Sequence, residues 1–266
     1  MIDGRKLCES LADANFEADV IKILQNAGYW DDYDQWTDYG GLENNYSSIG
    51  NQQGSADSAL VEKLINSIDA LLINKCLEND ISPESPKSPQ SIPEALKIFF
   101  GFPEGQLASI SASERTKLAD EYCGLVATGV VGKDGNPSLS IFDKGCGQEP
   151  DEFANTFLSL NASNKIKINF VQGKFNMGST GALPFCGNHN LQLIISKRNP
   201  KLRSKSLRSE EWGFTVVRRE RPKGQMKSSK YTYLTPGKKI LSFKAESLPI
   251  IPSSGKLNKE RSADLR

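Results

Sequence analysis

Residues 57–77 carry an unbroken helical pattern, and the stretch VEKLINSIDAL (61–71) inside it limits what the chain can fold into. The stretch is mostly apolar, so the helix must be packed against something. Yet Glu62, Asn66 and Asp69 stand at i, i+4 and i+7, which puts all three on one face. Burying unpaired carboxylates costs several kcal/mol or forces them to neutralise. That face is therefore either solvated or the lining of a site. Asp57 is a candidate N-cap for this helix.

Around this helix the period of the chain changes. Residues 5–27 read as one amphipathic helix closed by Gly28, and residues 29–56 as an aromatic, acidic and Gly/Asn-rich loop. The Pro/Ser-rich run NDISPESPKSPQSIP (79–93) reads as a loop or mobile insertion, followed by short helices at 93–100 and 113–122. Then GLVATGVV and SLSIF read as β-strands joined by a turn at Asp134-Gly135. LQLIIS, WGFTVVRR and KYTYL read as three more strands, and the last fifteen residues as a frayed polar end. Helices first, then helices interleaved with strands, imply an α+β sandwich with a mixed, mostly antiparallel sheet.

Several function classes are disfavoured. With a single histidine, His189, a zinc site and a Ser-His or Cys-His pair are both unexpected. Five scattered cysteines without a CxxC imply reduced thiols and a cytoplasmic setting. There is no secretory pattern and no long apolar run, so no membrane partner is expected. Net charge is +1, but residues 1–196 balance to −12 and residues 197–266 to +13. The basic 197–266 region is a candidate nucleic-acid contact, or simply a solvated surface.

Two more stretches complete a constellation. SIFDKGCGQEP sets Asp143-x-Gly145-x-Gly147 directly after a strand. An aspartate there can accept from an exocyclic amine, and the glycines let backbone approach a planar ring. VQGKFNMGSTGALPFCG (171–187) is glycine-rich and reads as a loop opening into a helix near Ala182, an arrangement suited to phosphate. It is neither a Walker A loop nor a dinucleotide fingerprint.

In this order and spacing, the three motifs resemble those of the GHKL ATPase superfamily: gyrase B, heat-shock chaperone ATPases, sensor histidine kinases and MutL. SIGNQQGSADSALVEKLINSIDA is most similar to the segment leading into the Asn-box helix of MutL and MORC-like proteins, and NASNKI (161–166) resembles part of the MutL lid. The resemblance implies a Bergerat-type two-layer sandwich with helices on one face of the sheet. It implies ATP and Mg²⁺ as cofactors, with Glu62 activating the attacking water and Asn66 holding the metal. Asp69 then supports the adenine end, and Asp143 reads the adenine amine beside Gly145 and Gly147. Gly173 and Gly178 match lid glycines and Gly181 stands at the helix start, with Lys165 and Lys174 as phosphate contacts and 148–181 as a mobile lid.

The family's lid glycine is replaced here by Asn176, and its final Gly-Thr is missing, with Thr215 or Thr232 as weak substitutes. The implied organisation is an N-terminal extension (1–44), an ATP-binding domain (45–245, continuing beyond residue 266 or naturally short) and a polar tail or the start of another domain (246–266). The implied setting is a DNA-related or anti-phage defence system, with an ATP-dependent homodimer and repair or defence proteins as partners. The alternatives are a nucleotide switch without hydrolysis and a histidine-kinase-like phosphotransferase. Cys146, the three tryptophans and the Asp31–Asp34 run are read as packing and wet loop rather than chemistry.

Overall fold

The computed structural model describes residues 3–50, 52–129, 137–160, 165–173, 180–222, 224, 226–251 and 263–265. Two short helices open the chain, α1 (Gly4–Asp13) and α2 (Glu17–Asn26). The single helix expected over 5–27 is broken at Ala14, which is extended. The break lets Leu7 and Leu11 of α1 and Leu24 of α2 reach the same core. Strand β1 (Trp36–Asp38) and helix α3 (Tyr46–Gly50) lie in the stretch expected to be mostly loop.

Helix α4 (Ala56–Glu78) is the long helix of the sequence pattern. Its N-cap is Ser55, whose hydroxyl accepts from the Ser58 amide at 3.2 Å. Asp57 lies instead in the first turn, where a carboxylate favours the helix dipole. Helices α5 (Ile92–Phe100) and α6 (Ala112–Glu121) follow, each with a serine N-cap. The Pro/Ser-rich run before α5 is held down, not projecting. Ile81 and Ile92 pack on the core under α4, and Gln90 accepts from Asn169 at 2.7 Å.

Strands β2 (Cys123–Thr128) and β3 (Ser138–Asp143) pair antiparallel as the sequence pattern requires, with Asp143 opposite Cys123. The Asp134-Gly135 turn lies outside the described residues. The main sheet is built on β5 (Glu211–Glu220). Strand β4 (Gln192–Ser196) pairs along one edge of β5. The other edge is shared by β6 (Lys230–Leu234) and β7 (Leu241–Lys244), which act as one strand interrupted at 235–240. Strand β1 closes the far edge of β6.

Every strand pair among the described residues is antiparallel, not mixed. The sheet is also covered on both faces, not one. Trp212, Phe214 and Val216 of β5 face α1 and α2. Val217 faces the opposite core with Tyr231, Tyr233, Ile49 of α3 and Phe153, Leu158, Leu160 and Leu183. The alternation of a strand delivers side chains to both cores, which explains why β5 reads as a nearly continuous apolar run.

The 1–44 segment supplies an edge strand and half of the buried residues of one core. In 246–266, Leu248 of β8 (Leu248–Ile251) is fully buried in that core and β8 pairs with β9 (Ala263–Leu265). A third core joins α4, α5 and the segment 165–173 through Leu72, Cys76, Ala95, Ile168, Phe170 and Val171. Burying a leucine such as Leu72 stabilises by about 1.5–3 kcal/mol, and this core fixes α4 against that segment.

Candidate functional site

The polar face of α4 is buried at Asp69 and half-buried at Glu62 and Asn66. Asp69 is 1% exposed, and its two carboxylate oxygens accept from the backbone amides of Gln172 (3.0 Å) and Gly173 (2.8 Å). The Lys165 ammonium completes the group, 3.4 Å from Asp69 and 3.5 Å from Asn66 Oδ1. A carboxylate with three donors is satisfied despite its burial, which is how an apolar helix tolerates it. Gly173 also lies directly over Asn66, so Asn66, Asp69, Lys165 and Gly173 form one cluster.

Asp143 reaches the same helix from the end of β3. Its Oδ1 accepts from the Gly145 amide at 2.9 Å, and its carboxyl also accepts from the Ser67 hydroxyl. Burial pushes the Asp143 carboxyl up, opposed by these two donors and by the Lys165 charge. Gly145 passes so close to α4 that a Cβ would lie 2.6 Å from the Ala70 methyl, so only glycine fits. Gly147 has a different reason. It has φ +59° and sits against the Lys197 carbonyl, where a Cβ would come within 1.8 Å. It holds the backbone at the end of β4 rather than joining the α4 cluster.

Glu62 lies one turn before Asn66 and accepts a hydrogen bond from the Gln53 side-chain amide. The Gln53 side chain in turn lies against Gly181. Gln52 accepts from the Thr180 hydroxyl, so the 52–53 pair ties the start of α4 to residues 180–181. Lys174, Gly178 and Asn176 lie outside the described residues, as do 161–164 of the NASNKI stretch.

The helix expected near Ala182 does not form. Only a three-residue 3₁₀ turn, Leu183–Phe185, is present, with Pro184 inside it and Gly187 just beyond. Proline supplies no backbone donor and glycine favours a left-handed turn, so the segment presents no helix N-terminus to a phosphate. The lid expected over 148–181 is likewise partly core, with Glu149, Phe153, Leu158 and Leu160 all buried. Thr215 donates to the Leu234 carbonyl and Thr232 bonds with Glu220, so both serve the sheet.

Sequence reasoning missed Ser67 and Gln53, which hold Asp143 and Glu62. Ser67 left a weak signal: a small hydroxyl residue next to Asn66 in the helix. Gln53 left none. Cys146, between the two glycines, is held near the Ala70 carbonyl, and burial pushes its thiol up to about 11. Such a thiol stays protonated at neutral pH and is no nucleophile. His189 sits beside Glu17, with 3.2 Å from Nδ1 to Oε2, and edge-on to Trp30.

Lys63, beside Glu62, has its pKa lowered to about 8 by burial, against the opposing pull of Cys186 and Glu62. Desolvation disfavours its charged form, so the unfolded chain holds more protons between pH 8 and 10.5, and this group's contribution to stability rises with pH there. Lys63→Met is expected to stabilise the protein by about 1–2 kcal/mol at pH 7. The advantage over wild type should shrink as pH rises through 8, as measured by urea denaturation at several pH values. An advantage that does not change with pH would mean that burial of the charge is not its cause.

No protein-family model, curated protein or solved structure matches the chain.

Proposed function

We propose that this chain binds and hydrolyses ATP with Mg²⁺, as a GHKL-type ATPase of the MutL/MORC-like kind on a Bergerat-type scaffold. One observation carries the reading. Glu62, Asn66 and Asp69 on α4, Asp143 and Gly145 after β3, and Lys165 and Gly173 come together in space although about a hundred residues separate them in the chain. A base, a metal anchor, an amine acceptor and a cation are the parts that position and stabilise phosphoryl transfer to water.

The residues fit the ligands. Asn66 and Asp69 already hold a positive charge, the Lys165 ammonium, where a cation would be needed. The carboxyl of Asp143 is an acceptor of the kind an exocyclic amine requires, while the missing side chain at Gly145 makes room for Ala70 of α4. Mg²⁺, when bound, neutralises phosphate charge and keeps most of its waters. In this reading Asn66 offers its oxygen to the metal, Asp143 accepts from adenine and Glu62 accepts the proton of the attacking water. Gln53 orients Glu62, and Lys165 leaves Asp69 for the phosphates.

The test is ATP titration by calorimetry with Mg²⁺ on wild type and Asp143→Asn. Asparagine preserves an acceptor for the Gly145 amide but adds a donor facing the adenine amine. Affinity should fall about 10- to 100-fold, with an unchanged melting curve. Undiminished affinity in the folded variant, or no ATP binding by wild type, would sink the reading.

A second reading, a nucleotide switch without turnover, is favoured by the Gln53 bond that already occupies the Glu62 carboxylate. An ATP-dependent homodimer and a role in DNA-related or defence machinery follow from family analogy, and a nucleic-acid contact through 197–266 from its charge balance of +13. Among the described residues no helix is long and apolar enough to cross a membrane.

A further inference from the structure

Several cations of residues 197–266 are engaged within the fold. Arg198 donates to the carbonyls of Gly147 and Leu202. Arg208 pairs with Asp151 and Glu211 and reaches Ser242. Arg218 is buried between Trp30 and Trp36 with Glu220 as counter-ion. Arg219 and Arg221 both donate to the Asn188 carbonyl, and Lys230 pairs with Asp38.

One place differs. Between the end of β4 and the end of β7 lies a groove of about 360 Å³, lined by Lys197, Arg203, Glu210, Lys244, Ala245 and Glu246. The Lys197 ammonium is anchored there on the Ala245 carbonyl at 2.6 Å. Arg203 beside it is poorly neutralised. Its NH1 reaches Glu210 only at 3.7 Å, and that glutamate side chain is 62% exposed. Its Nε is buried with no hydrogen-bond partner among the described residues. The two cations repel each other, and Arg203 adds to burial in lowering the Lys197 pKa. Lys244 is exposed at the rim.

We infer that this groove is a phosphate site, in which Arg203 presents a guanidinium fork and Lys197 and Lys244 add ammonium charges. A planar carboxylate has two oxygens to share, whereas a phosphate ester offers several acceptors in a tetrahedron and can meet three cations arriving from different directions. Glu210 and Glu246 are exposed at the rim and need not remain over the bound anion. Two sources carry this chemistry, a free phosphate ester and the backbone of a nucleic-acid strand.

The experiment measures a fluorescein-labelled single-stranded oligonucleotide by anisotropy over a range of salt, and inorganic phosphate by thermal shift. Both are applied to wild type, Arg203→Gln, Lys244→Gln and a charge-matched control, Lys87→Gln, whose lysine is exposed and distant in the chain. Oligonucleotide binding that weakens in the groove variants alone identifies the strand as the source. Its salt slope should fall by about 0.7 per cation removed. A thermal shift with phosphate that only the groove variants lose, without oligonucleotide binding, identifies the free ester. Both results support the site. Equal loss in the Lys87→Gln control, or no response of either ligand to Arg203→Gln and Lys244→Gln, overturns it. Lys244→Gln alters an exposed side chain, so its result stands even where Arg203→Gln disturbs the fold.

Discussion

Asp69→Ala is expected to lower the unfolding free energy by about 3–5 kcal/mol, the range for breaking a buried, fully partnered charge. The substitution leaves the amides of Gln172 and Gly173 and the Lys165 ammonium without their shared acceptor. It also releases the segment that carries Ile168, Phe170 and Val171 into the α4–α5 core. Asp69→Asn preserves one oxygen acceptor and should lose about half as much. Urea denaturation of the two variants checks both values. A change for Asp69→Ala within about 0.5 kcal/mol of wild type would mean that the carboxylate does not hold this segment in solution. Because the Asp69 clamp joins α4 to residues 165–173, the same variant should expose that segment to proteolysis before the rest of the chain.

The second large effect concerns chemistry. Glu62→Ala should reduce phosphate release by about 10²–10⁴-fold, the usual worth of a positioned general base, and leave ATP affinity nearly unchanged. Binding and turnover then separate, as expected when a group acts mainly in the transition state. If wild type binds ATP and releases no phosphate, the switch reading replaces the ATPase reading. If Glu62→Ala turns over at the wild-type rate, Glu62 is not the base. Gln53→Ala is informative beside it. Removing the amide that bonds Glu62 should alter the pH profile of turnover if the carboxylate takes the proton, and should change nothing if Glu62 only packs.

Part of the candidate cluster is legible in the sequence. The spacing of Glu62, Asn66 and Asp69 placed them on one helix face, because 3.6-residue periodicity is a local property of the backbone. Asp143 at the end of β3 was legible for the same reason, because a β-rich run followed by glycines marks where a strand stops. The glycines were less legible. Gly145 and Gly147 look alike in the sequence, yet one makes room for Ala70 and the other for the Lys197 carbonyl. A missing side chain shows that something comes close, not what it is.

What the sequence determined by itself is the local geometry: the long helix α4, the antiparallel pairing of β2 with β3, and the strands β4, β5 and β6 with their alternating faces. These follow from periodicity and turn chemistry within a few residues. Only the tertiary structure decided that β1 joins the main sheet with α1 and α2 packed on it, that Glu149, Phe153, Leu158 and Leu160 are buried, and that the run near Ala182 makes a single turn. It alone gave Asp69 its three donors and set the Arg203 guanidinium 3.7 Å from the carboxylate of an exposed Glu210. The physical reason is the same throughout. Whether an apolar or charged residue is buried and partnered depends on surfaces that meet across long loops, and periodicity carries no information about which surfaces those are.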